Sequence, residues 1–156
     1  MRKNLALLIC LTASRLYAAT TWQPTDELLH AIRFVESSHG QFTVGDHGQS
    51  LGDYQLSEAA WLDVSSWRKS RGVRTYKYER HVWDRAVSRA YASDYLAILH
   101  GQLKKHLNRA PTAGEIYAAY NMGLSSFAQC RFELARVNPV TARKCEQIEA
   151  ITGPVY

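Results

Sequence analysis

Three carboxylates stand close together early in the chain, in residue types and spacing suited to acid–base chemistry. Glu36 sits where an amphipathic helical pattern gives out. Asp46 and Asp53 follow within "GQFTVGDHGQSLGDYQL", a stretch punctuated by Gly40, Gly45, Gly48 and Gly52. A carboxyl at a helix end beside Phe34, Val35 and Phe42 is drawn partly out of water, and a general acid working near neutral pH must hold its proton. Asp46, among glycines and next to His47, is better hydrated and suited to remain charged. Two carboxyls in unlike surroundings can divide acid and stabilising or base roles, the division that glycosidic bond cleavage uses. Asp53 is the rival to Asp46 as second carboxylate, and its alternative role is to cap the next turn.

The elements that must position these groups follow from the hydrophobic pattern. Thr25 is placed to cap a helix after Pro24, with Asp26 and Glu27 in its first turn and Leu28, Leu29, Ile32 and Val35 as its apolar face. Ser37 to Gly40 stop it. Residues 41–56 carry β-formers separated by glycines and predict a short hairpin or irregular sheet, with Phe42, Val44, Leu51 and Tyr54 facing inward. Ser57 caps a second helix, "EAAWLDVSSW", and 68–80 reads as a basic loop. Apolar residues from Trp83 to Leu107 predict one long helix over 80–107. Pro111 opens the next helix, where Thr112 and Glu115 have capping-box spacing and Gly123 is the terminator. Two more helices are expected over Ser125–Arg136 and Pro139–Ile151. The fold class is α+β and predominantly helical, a single domain over 20–156 with a small β-hairpin region near 41–56.

The 156 residues are enough for one core, with 46% hydrophobic and 21% charged residues. The first nineteen have Arg2 and Lys3, an apolar run from Leu5 to Leu11, and Ala18 and Ala19 at the end. That is the three-part pattern of a secretory signal peptide, so the expected location is periplasmic or extracellular. Its removal takes three positive charges from a net of +5 and leaves Cys130 and Cys145. In an oxidising compartment these are a plausible disulfide, worth about 3 kcal/mol in the chain-entropy picture. The other possibility is two unpaired buried thiols.

The six histidines form no tight cluster and no Cys-x-x-Cys occurs, so neither metal nor cofactor is expected. Residues 20–67 carry seven carboxylates and one base, Arg33, whereas 68–90 carry eight Lys or Arg. This asymmetry suits a cleft for an anionic polymer. The basic residues match no nucleic-acid-binding pattern, which sets nucleic acid aside.

Read together, "ESSHG", "GDHGQSLGDYQL" and "AYNMG" resemble the lysozyme-like superfamily, which includes soluble lytic transglycosylases and goose-type and invertebrate-type lysozymes. The three motifs fall in the same order across about residues 25–125. The resemblance implies cleavage of the β-1,4 bond between N-acetylmuramic acid and N-acetylglucosamine in peptidoglycan, with Glu36 as catalytic acid. It places Ser50 and Gln55 on the β segment and Tyr120, Asn121 and Gly123 in the downstream motif. Tyr54 and Tyr120 are candidates to stack on sugar rings, and Asn121 to hydrogen-bond an acetamido group. If water completes the reaction the enzyme is a muramidase. If the sugar's own 6-hydroxyl attacks, it is a lytic transglycosylase. The rival reading is an exported wall-binding module that does not cut. The expected partner is the peptidoglycan glycan strand, met by a monomer with no stable membrane insertion after signal cleavage.

Overall fold

A computed structural model describes residues 22–153, so the expected signal peptide at 1–19 lies outside the described residues. The first helix, α1 (Asp26–Ser37), starts where the sequence places it, because the Thr25 hydroxyl accepts the Leu28 amide at 3.2 Å. It ends through Ser38 and His39, both left-handed at φ 48° and 62°. Their amides return to the Phe34 and Arg33 carbonyls, so the last turn is closed by the backbone itself.

The glycine-rich stretch forms a three-stranded antiparallel sheet of very short strands: β1 (Val44–Gly45), β2 (Ser50–Leu51) and β3 (Leu56–Ser57), in that order. Val44 pairs with Leu51, and Leu51 with Leu56. A 3-10 turn, Asp46–Gly48, joins β1 to β2. Only part of the expected inward set faces the core. Tyr54 is buried, Leu51 is partly buried, and Phe42 and Val44 are 68% and 61% exposed. The sheet is too small to cover both faces, so its first strand stays at the surface.

Helix α2 (Glu58–Lys69) begins on the Ser57 side-chain cap and is followed by the single turn α3 (Tyr78–His81). The basic segment between them is not a free loop: the Trp61 indole donates to the Tyr76 carbonyl at 2.8 Å, and the Tyr76 amide donates to the Tyr91 hydroxyl. The long helix α4 (Arg85–Leu107) starts later than its apolar pattern suggests. Asp84 accepts the Ala86 and Val87 amides and fixes the start there, leaving Trp83 outside the helix and half exposed.

Helix α5 (Ala113–Met122) carries the full capping box, with Glu115 also held by Arg109. Eight consecutive residues of it, Ala113 to Tyr120, are buried. A helix covered on all sides is the centre of a core, and α5 packs against α4, α6 (Leu124–Gln129) and α7 (Pro139–Thr152). The single helix expected over 125–136 is instead split into α6 and a 3-10 turn at Leu134–Arg136. Arg131 and Phe132 are left-handed, which breaks the helix and lets Phe132 meet Phe127 edge-on at 5.5 Å. Buried aromatic packing outweighs local helical preference there.

Cys130 and Cys145 are free thiols, which corrects the expected disulfide. Cys145 faces the core from the middle of α7, whereas Cys130 ends α6 at a half-exposed position. Burial pushes the Cys145 thiol up to about 12, so it packs as a small neutral group. Among the described residues no helix is long and apolar enough to cross a membrane. The whole is an α+β domain, predominantly helical, with the small sheet placed as an arm between α1 and α2.

Candidate functional site

The end of α1, the β arm and the end of α5 surround a cleft of about 390 Å³, with α2 along one side. Glu36, Ser50, Gln55, Tyr120 and Asn121 all line it. Residues 85 positions apart in the chain are thereby brought to one wall. The volume is within the range of small-ligand sites.

Glu36 is enclosed, its side chain 8% exposed against 17% for Asp53. The Tyr117 hydroxyl of α5 donates to Glu36 Oε1 in a short hydrogen bond. The Lys144 ammonium of α7 stands 3.5 Å from the same oxygen. Burial first, and then the neighbouring Glu36 charge, push the Tyr117 hydroxyl well up, so it donates and does not ionise. Tyr117 and Lys144 were absent from the sequence reading. Tyr117 lies three residues before Tyr120 on one helix, a spacing that puts both on one face. Nothing in the sequence around Lys144 marks it.

Ser37, next to Glu36, ties the helix end to the β arm. Its buried hydroxyl bonds the Asp53 carbonyl at 2.7 Å and accepts the Gly40 amide at 2.8 Å. Arg33 Nε meets Asp53 Oδ2 at 2.7 Å, and Arg85 Nε approaches the same oxygen at 3.4 Å. Asp53 therefore serves a clamp between α1, the arm and α4. Asp53, the rival to Asp46 as second carboxylate, does not line the cleft. Asp53→Asn is expected to lower stability by about 2 kcal/mol through the weakened charged hydrogen bonds. Activity should stay within about tenfold of the parent, far short of a lost acid or base. Urea unfolding and a rate assay on the same variant check both.

The other candidates are placed as follows. Asp46 opens the 3-10 turn at the tip of the arm, and its side chain lies outside the described part of the structure. Ser50 is on β2 at the cleft wall. Gln55, at φ 48°, turns its amide back into the arm, donating to the Gly52 carbonyl at 2.8 Å. A Cβ on Gly45 would sit 2.1 Å from Gln55 Oε1, so glycine at 45 is what makes room for this brace. Tyr54 is a core residue, 3% exposed, and its ring is not on the cleft wall. Tyr120 lines the cleft with its hydroxyl spent on the Tyr54 carbonyl at 2.6 Å, a bond that pins the arm to α5.

Asn121 is oriented by a chain of bonds from the start of α7. Asn138 Oδ1 accepts the Thr141 amide, Asn138 Nδ2 donates to the Thr141 hydroxyl, and that hydroxyl donates to Asn121 Oδ1 at 2.8 Å. The direction of each bond is set by the one before it. Asn121 lines the cleft with its Oδ1 taken up by Thr141, so the group it has to offer an acyl carbonyl on a ligand is its amide N–H. One carboxylate at the cleft was missed by the sequence reading: Asp63 of α2, an exposed residue near Tyr95. Its position on the solvent side of an ordinary amphipathic helix gave no sign of a site.

Among the described residues, no three His, Cys, Asp or Glu side chains converge as a metal site would require. The chemistry available is that of one enclosed carboxyl, oriented amide and hydroxyl groups, and aromatic walls. Comparison with protein-family models, with curated proteins and with solved structures finds no match for this chain.

Proposed function

We propose that this protein is an exported lysozyme-like domain that cleaves the β-1,4-glycosidic bond of peptidoglycan strands, as a lytic transglycosylase or a muramidase. The observation that carries the reading is the meeting of three sequence motifs around one cleft: Glu36 from the end of α1, Ser50 and Gln55 from the arm, and Tyr120 and Asn121 from the end of α5. A core-stabilising role for these residues would not require them to share an open wall.

Glu36 protonates the glycosidic oxygen as the C1–O bond breaks, and positive charge develops on the sugar ring. Asn121 presents N–H groups to an acetamido carbonyl. With Asp53 committed to its clamp, stabilisation of the oxocarbenium-like state comes from Asp46 or from the substrate's own acetamido group. Attack by water gives a reducing end, and attack by the sugar's 6-hydroxyl gives an anhydro end.

Digestion of purified cell wall, with mass analysis of the soluble fragments, tests the proposal. Fragments ending in muramic acid are the expected result, and an anhydro end is lighter than a reducing end by one water. A protein that binds insoluble wall and releases nothing would overturn catalysis in favour of the binding module.

A further inference from the structure

We infer that Lys144 is a positioning residue for the Glu36 carboxyl, occupying one of its oxygens so that the other carries the transferable proton. The inference rests on the reading of Glu36 as the acid. Lys144 comes from α7, the part of the chain in which no motif is recognisable. The phase of that helix is set by Pro139 in its first turn and by the Asn138 cap. Thr141, Cys145 and Ile148 are buried on its inner face, which leaves Lys144 at the edge of that face, 27% exposed, reaching back to α1.

The geometry at Glu36 is one-sided. Tyr117 Oη donates to Oε1, and Lys144 Nζ stands 3.5 Å from the same oxygen. A protonated carboxyl has one O–H, and placing it on Oε1 would set it against the Lys144 ammonium, which can only donate, and would require the Tyr117 hydroxyl to turn from donor to acceptor. When the carboxyl is protonated, its proton is therefore carried on Oε2. In the forward step the Oε2–H bond breaks and the proton passes to the glycosidic oxygen, which keeps the electron pair of the breaking C1–O bond. The carboxylate left behind has Lys144 beside it. In the second step the attacking hydroxyl forms the new C1–O bond and returns its proton to Glu36.

Lys144 is the cation recorded next to this carboxyl among the described residues. From α5 the facing groups are Tyr117 and Tyr120, both held protonated by burial and by the Glu36 charge. Cys145 of α7, beside Tyr117, stays neutral because burial pushes it up to about 12. Asp63 of α2 and Tyr95 of α4 line the same cleft, and Ser50 and Gln55 of the arm are uncharged. Arg33 of α1 is committed to Asp53. Removing the Lys144 charge takes away the cation beside the carboxyl, so the anion left after proton transfer loses a stabilising neighbour in the variant.

The test is a carbon-13 NMR titration of the Glu36 carboxyl in the parent, Lys144→Met and Lys144→Arg, with the pH dependence of kcat/KM on wall glycan. The midpoint and the alkaline limb are expected to move up by about one pH unit in Lys144→Met. Both should return toward the parent in Lys144→Arg. If Lys144→Met does not fold, Lys144→Gln takes its place. An unmoved midpoint, whatever the loss of rate, would mean that Lys144 only supports the structure, and the inference fails. A parent that releases no wall fragments, with the midpoint still shifted, would defeat the proposed function and leave the pairing intact.

Discussion

Glu36→Gln is expected to lower wall-cleaving activity by at least about 100-fold while the protein remains folded. On the proposed function the loss is that of a general acid, whose contribution is typically of order 10²–10⁴. Glutamine preserves the volume and can still accept the Tyr117 hydroxyl, so the cleft keeps its shape. Lys144 loses its anion, but a side chain already 27% exposed can turn to water. The expected change in thermal midpoint is therefore only a few degrees, on the order of 1 kcal/mol. The combination is what matters: activity falls by orders of magnitude and stability hardly changes. Retention of more than about a tenth of the parent rate would remove Glu36 from the catalytic role.

The largest effect on stability is expected at Trp61. It is 1% exposed, stacks on Tyr91 with ring centroids 3.7 Å apart, and meets Tyr78 edge-on. Its indole N–H holds the Tyr76 carbonyl, so one side chain joins α2, α3, α4 and the basic segment between α2 and α3. Trp61→Ala should cost about 3–5 kcal/mol, the range for a large aromatic removed from a packed core. For a domain whose total stability is of order 5–15 kcal/mol, that is a third or more. Denaturant unfolding measures it directly. A loss below about 1 kcal/mol would mean that the surrounding elements hold together without Trp61. Because Trp61 itself does not line the cleft, activity should fall with the folded fraction and not ahead of it.

Much of the local structure was legible in the chain. Thr25, Ser57, Thr112 with Glu115, and Asn138 with Pro139 start their helices as their side-chain chemistry dictates, because a cap is a contact between residues three apart. Failures occurred where a distant partner decided the outcome. Phe132 breaks the helix expected over 125–136 in order to pack on Phe127. Val44 and Phe42 alternate correctly for a strand but have no second layer to cover them. Cys130 and Cys145 are free thiols, a result that their spacing in the chain could not decide.

The site divides the same way. Glycines around three carboxylates and a helix end at Glu36 are statements about local backbone freedom, and the sequence alone determined them. Which carboxylate is tied up in ion pairs was decided only by the tertiary structure. Arg33 and Arg85, 52 positions apart in the chain, converge on Asp53 and tie it into a clamp. Tyr117 and Lys144, 81 and 108 positions after Glu36, converge on one oxygen of its carboxyl. Charge and hydrogen bonding act over a few ångströms of space and not along the chain, so such pairings exist only once the helices are packed.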